Sequence, residues 1–453
     1  MKDRGAIRSG LVAAVALAAV TGLPGPAGAA PADGDREIAA YRPQGREIRG
    51  TATAGNAPTM MPLGSYVDSI GAGETRHYRV RLDGESAAYV SAVAVPRPGS
   101  PVSAFSDGVK LSLVSADGKL CDQARPTAEA VDLAYPLAGY AARIPRPGGA
   151  SPCREAGTYD FAVERTGGRD DDREPARWPL ELQFAQEPAV KGGPTAPPSP
   201  GSWSTEPPAV PERNASGARE RAGGTDFRTA GLVSTGVWKT RIAPGETRFF
   251  RVPLGWGQQL YAEAELPGAR PPAGGSPADR AGGGADDGRE RRLGDAFGVS
   301  LYNPMHGLVR RGGFAPYRGE RAEDVLERTA PVAYGNRYTR AKSEVEAVSL
   351  AGEYYLAVTL HPDAADYFGD TAPVTLRVVV DGERQPGPEY VRDPGAGLGQ
   401  PPTGPRTAAS PGEGENRALR AVAYAGFGTG TALLLGLGWW TVIARRRAGA
   451  AGG

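Results

Sequence analysis

The sequence predicts an all-β protein: two tandem jelly-roll-like β-sandwich domains followed by one C-terminal transmembrane helix. Three observations carry this. One string of residues occurs twice, short segments of alternating polarity fill both copies, and a charge-free stretch near the C-terminus ends in three arginines. Gly73-Glu74-Thr75-Arg76-His77-Tyr78-Arg79-Val80-Arg81-Leu82 aligns without a gap on Gly245-Glu246-Thr247-Arg248-Phe249-Phe250-Arg251-Val252-Pro253-Leu254, 172 positions on. Ala156-Gly157-Thr158-Tyr159 then matches Ala351-Gly352-Glu353-Tyr354, and Pro179-Leu180-Glu181-Leu182 matches Pro373-Val374-Thr375-Leu376. Landmarks repeated in the same order indicate a duplicated domain.

In chain order, residues 1–29 read as a secretory signal. Lys2, Arg4 and Arg8 form a basic start, Leu11 to Val20 an apolar core, and Ala27-Gly28-Ala29 a small-residue cleavage site. Residues 56–187 form the first sandwich, with strands expected at 75–82, 88–95, 109–114, 159–163 and 180–184 from their alternation. The Pro/Gly-rich stretch 188–224 is expected to be a linker. Residues 225–381 form the second sandwich, with strands at 248–254, 260–266, 299–302, 354–360 and 374–380 and an inserted loop at 267–292. Residues 320–328 are expected to form a helical turn or two. A stalk at 382–419 precedes the transmembrane helix, 420–444, which carries no charge from residue 421 onward. Arg445-Arg446-Arg447 open the tail, 445–453, and place it in the cytoplasm, with the sandwiches outside the plasma membrane of a bacterium.

Lys plus Arg number 52 and Asp plus Glu 51, so no bulk charge favours nucleic acid as a partner. The two cysteines, Cys121 and Cys153, both fall in the first copy and outside the membrane. An even count in an exported chain points to a disulfide, and without neighbouring His ligands they make a poor metal site. Tyr78, Tyr89, Phe250 and Tyr261 are expected in the sandwich cores. Glu74 and Glu246 stand where a carboxylate can accept backbone N–H groups or pair with Arg76 and Arg248. Gly157 and Gly352 are expected at turns with positive φ.

The order Gly-Glu-x-x-x-Tyr/Phe-x-Val, then a Leu-rich strand ending at Asp117-Gly118, then Ala-Gly-x-Tyr-x-x-x-Val resembles the bacterial pre-peptidase C-terminal domain family. That resemblance implies a jelly-roll-like sandwich and a binding or accessory role. The chain also looks like the ectodomains of actinobacterial exported proteins whose similar modules precede von Willebrand A-type domains, although it has no Asp-x-Ser-x-Ser metal motif.

No catalytic residue is expected. His77, His306 and His361 are scattered, and Gly-x-Ser-x-Gly, His-Glu-x-x-His and Walker motifs do not occur. Acidic loops supply a candidate calcium site at Asp170, Asp171 and Asp172, with Asp363, Asp366 and Asp370 in the matching loop; solvated hairpin tips are the alternative. Trp238, Trp256, Tyr367 and Phe368 are candidate binding aromatics, with a role in capping the sandwich edge as the alternative. Trp256 lies in the turn Gly255-Trp256-Gly257. Together these features predict a membrane-anchored, extracellular, non-enzymatic protein that binds a cell-envelope glycan or a protein partner. The alternative is an accessory subunit of a secreted hydrolase or an envelope-assembly complex.

Overall fold

The computed structural model describes residues 38–130, 132–149, 153–168, 176–193, 203–204, 206, 209, 217–269, 292–326, 328–339 and 343–393. The expected signal at 1–29, the transmembrane helix at 420–444, the tail and most of the inserted loop lie outside the described residues, as do Asp170, Asp171 and Asp172. Among the described residues no helix is long and apolar enough to cross a membrane.

The first repeat contributes β1 (Arg46–Glu47), β2 (Gly64–Ile70), β3 (Thr75–Leu82), β4 (Ala87–Ala94), β5 (Gly108–Val114), β6 (Leu120–Ala124), β7 (Leu137–Arg143), β8 (Gly157–Thr166) and β9 (Trp178–Glu187). The second contributes β10 (Arg219–Glu220), β11 (Gly231–Leu232), β12 (Gly236–Ile242), β13 (Thr247–Leu254), β14 (Gln259–Leu266), β15 (Leu293–Tyr302), β16 (Leu308–Tyr317), β17 (Ala322–Leu326), β18 (Gly352–Leu360) and β19 (Ala372–Asp381). Its helices are single turns, α1 (Glu344–Ala347) and α2 (Ala365–Phe368). One sheet runs β1-β2-β9-β4-β7 in the first repeat and β10-β12-β19-β14-β17 in the second. The other runs β3-β8-β5-β6, and its counterpart is β13-β18-β15-β16 with β11 added at the edge. The orders are the same strand for strand.

Register agrees as well as order. Leu82 pairs with Gly157 and Leu254 with Gly352, so the first two landmark strings are neighbouring strands in each copy. Alternate residues of these strands enter the cores: Tyr78, Val80 and Leu82 in one, Phe250, Val252 and Leu254 in the other. Both cores lie between two sheets, which makes each repeat a β-sandwich. In both copies the Tyr of Ala-Gly-x-Tyr donates its hydroxyl to the carbonyl four residues earlier, Tyr159 to Glu155 at 2.6 Å and Tyr354 to Leu350 at 2.7 Å. That bond pins the corner where the chain enters the strand.

Several expectations are corrected. Residues 322–326 are a strand, β17, which pairs with β14 where a helical turn was expected. The pairing supplies β14 with acceptors that an exposed helical turn would not. The positive-φ glycines shared by both copies are Gly73 (67°) and Gly245 (82°), which start the β3 and β13 strings. Of the expected pair only Gly352 has positive φ. Tyr89 is buried but turns away from the sandwich core, because Ala88, Val90, Ala92 and Ala94 take the inner face of β4. Tyr261 is likewise outward, since Leu260, Ala262, Ala264 and Leu266 point inward.

The outward aromatics have a reason. The outer face of the first repeat's β4–β7–β9 sheet packs on the outer face of the second repeat's β13–β18–β15 sheet, and both repeats belong to one compact unit. Val93, Val95 and Ala138 meet Phe249, Tyr302 and Ala357, with Tyr41 and Phe227 between them. Tyr89, Tyr140, Ala142 and Ala185 meet Met305 and Leu350. The β15–β16 turn approaches so closely that a Cβ on Gly307 would stand 2.0 Å from the Tyr140 ring. The described part of the expected stalk, 382–393, also folds back. Val190 bridges to Tyr390, and Lys191 N–H donates to Glu389 O at 2.8 Å.

Candidate functional site

Of the candidate binding aromatics, Trp238, Trp256 and Tyr367 are buried and Phe368 is half-buried. Trp256 is 3% exposed because residues 383–387 lie over it: Gln385 N–H donates to its carbonyl, and a Cβ on Gly387 would touch its indole. Trp238 sits in the second core, donates Nε1–H to Ser234 O at 2.8 Å, and is capped by the Arg219 guanidinium 3.9 Å from its ring. Tyr367 packs edge-on against Tyr317 at 4.9 Å, and Phe368 lies 5.3 Å from the same ring. Most of the apolar area of Trp238, Trp256 and Tyr367 is thus packed against the rest of the chain.

Asp363, Asp366 and Asp370 are not gathered into a metal site. Among the described residues no group of three or more His, Cys, Asp or Glu is placed to hold an ion. The Asp363 side chain is 65% exposed and stands 3.8 Å from His361. The disulfide expected from the sequence is present and joins β6 to the segment before β8 through Cys121 and Cys153. The histidines stay apart: His77 Nδ1 is 2.8 Å from Asp160, while His306 stacks on Phe227.

A buried ion pair joins the two repeats. Arg337 of the second repeat makes a two-pronged pair with Glu187 of the first, both essentially inaccessible, and donates to Ser349 O at 2.9 Å. Tyr390 and Tyr89 hydroxyls complete the Glu187 carboxylate at 2.6 and 3.2 Å. Burial opposes the Arg337 charge, but Glu187 outweighs it and the net direction is upward. Nearby, burial pushes the Glu181 carboxyl up to about 7; the Gln44 N–H opposes this and the buried Asp226 adds to it. Burial likewise lowers His306 to about 3, which keeps it neutral. These groups fasten the two sandwiches and are shut away from solvent.

An open groove lies at the other side of the second repeat, where β10, β12 and the start of β13 meet. It encloses about 430 Å3, and Arg221, Lys239, Arg241 and Arg248 contribute four cations to its lining, against Glu220. Arg221, Lys239 and Arg241 are exposed and have no carboxylate partner among the described residues. Arg248 is held by Glu246 at 2.7 Å, and that carboxylate also takes the Ala243 N–H at 3.1 Å. Glu74 does the same for Arg76 and Gly71 N–H, as the sequence leads one to expect, and Arg177 draws it down to about 2. Gly223 has to be glycine: a Cβ there would lie 2.8 Å from the Phe250 ring. Thr240, 8% exposed, is also in the lining, and its Oγ1 is buried and has no hydrogen-bond partner.

Sequence reasoning does not single out these cations. The available signal was Lys239 and Arg241 alternating with Trp238, Thr240 and Ile242, a strand pattern interrupted by charge. Among the described residues, two further cavities mix charges; the one beside the disulfide is lined by Asp117, Glu155, Lys119 and Arg154.

No family model matches the chain, and no curated protein matches it in sequence. Among solved structures it is similar to the tandem CBM22 domains of Paenibacillus barcinonensis Xyn10C, at 12% identity over 70% of this chain and 85% of that one, TM-score 0.18. A family 6 carbohydrate-binding module matches at 10% identity over 26% of this chain and 82% of its own, TM-score 0.15. The CUB1-EGF-CUB2 segment of human MASP-1/3 matches at 7% identity over 70% and 99%, TM-score 0.15. Scores this low transfer no function.

Proposed function

We propose that this chain is an exported, membrane-anchored protein that acts by binding, its second jelly-roll-like sandwich engaging a component of the bacterial envelope. The observation that carries the reading is the open cationic groove beside β12, set on a body whose two sandwiches are fastened face to face. A rigid mount lets a site hold a partner without the entropy cost of ordering two free domains. The Cys121–Cys153 disulfide supports an oxidising, extracytoplasmic location.

Crosslinking the intact chain in its own cells, followed by mass spectrometry of what is captured, tests this. Envelope polymer fragments recovered without a stoichiometric enzyme are the expected result. One dominant hydrolase or assembly enzyme held at equal stoichiometry would replace this reading with that of an accessory subunit.

A further inference from the structure

The duplication provides an internal comparison for the groove. Backbone pairing sets the equivalences. Ile48 N–H donates to Val67 O in the first repeat and Arg221 N–H to Lys239 O in the second. Ser69 faces Pro179 and Arg241 faces Pro373; Asp68 faces Leu180 and Thr240 faces Val374. Arg76 and Arg248 occupy one position of β3 and β13. Three of the groove's four cations therefore stand where the first repeat has Ile48, Val67 and Ser69.

The first repeat fills the same place with its own oxyanion. Asp68 Oδ2 accepts the Gly50 N–H at 2.7 Å and the Tyr78 hydroxyl at 2.8 Å. In the second repeat Gly50 is matched by Gly223, Tyr78 by Phe250, and Asp68 by Thr240. The internal carboxylate is gone, its neighbours have become cationic, and the hydroxyl that replaces it is buried without a partner. Such a hydroxyl costs free energy unless something bonds to it.

We propose that this groove is a phosphate-binding site, in which a phosphoryl group is held by Arg221, Lys239, Arg241 and Arg248. The inference rests on the binding function proposed above and names its ligand chemistry. A phosphoryl group presents several charged acceptors at once, which suits three guanidinium forks and an ammonium better than a single carboxylate does. At about 430 Å3 the groove also has room for a glycerol- or sugar-sized body bearing the phosphate.

Calorimetric titration of the full-length chain with inorganic phosphate, with sn-glycerol 3-phosphate and with acetate tests it. Both phosphates bind and acetate binds at least about tenfold more weakly; glycerol 3-phosphate outdoing inorganic phosphate would favour a polymer-borne source over the free ion. Thr240→Asp restores the internal carboxylate and lowers phosphate affinity at least about tenfold. Because that residue is buried, a second variant, Lys239→Val with Arg241→Ser, changes only exposed side chains and lowers affinity likewise. Absence of phosphate binding, equal affinity for acetate, or unchanged affinity in the second variant would each overturn the proposal. If envelope polymer is still captured by the chain while phosphate does not bind, this inference alone fails. Loss of both removes the binding function as well.

Discussion

Glu181 is the residue whose environment departs furthest from what its sequence context suggests. It belongs to a landmark read as a plain strand, yet it is 2% exposed between the repeats, with Asp226 nearby. Its carboxyl rises from 4.5 to about 7 on folding, so the folded chain keeps that proton to higher pH than the unfolded chain does. The stability it contributes is complete below its unfolded value and is lost as pH rises through about 7. The difference amounts to roughly 3 kcal/mol at most. Thermal unfolding of Glu181→Gln should therefore show a melting temperature that declines less than wild type between about pH 4 and pH 8. A wild-type slope retained in the variant would assign the pH dependence to another group.

At the scale of elements, the landmarks matched bonds that close the fold. The Ala-Gly-x-Tyr string is a corner whose tyrosine hydroxyl ties back to the carbonyl four residues upstream in both copies. Tyr354→Phe removes that donor and leaves the buried Leu350 carbonyl unpaired, at a cost of about 1–2 kcal/mol by denaturant unfolding. No measurable change would mean that packing alone holds the corner. β3 and β13, with one buried face, were legible from their alternating polarity. β4 was also expected, at 88–95, but all eight of its residues are buried, so the outward direction of Tyr89 could not be read. β12 was missed although Lys239 and Arg241, which line the groove, alternate with its buried residues as Arg79 and Arg81 do in β3. The candidate aromatics failed for a related reason: a turn position such as Trp256 gives no hint that residues 383–387 return to cover it.

At the scale of the whole molecule, the duplication was legible but the packing of one copy on the other was not. That contact joins residues far apart in sequence, such as Glu187 with Arg337 and Tyr140 with Gly307, and no local pattern announces them. The buried pair makes the arrangement sensitive to single changes. Arg337→Met strands the Glu187 carboxylate in the interior at a cost of about 3–5 kcal/mol. Calorimetry should then show one transition for the wild type and a broadened or split one for the variant, as the repeats uncouple. An unaltered single transition would mean that the apolar clusters suffice. The two copies have thus diverged in their surfaces while keeping one topology: the first closes its β2 edge with Asp68, and the second opens the matching edge as a basic groove. Retention of the full-length chain on isolated envelopes, compared between wild type and the exchange Arg221→Ile, Lys239→Val, Arg241→Ser, tests this most directly. The account predicts retention at least about tenfold lower in the exchange, with unchanged melting temperature. Equal retention would show that the groove is not where this protein meets its partner.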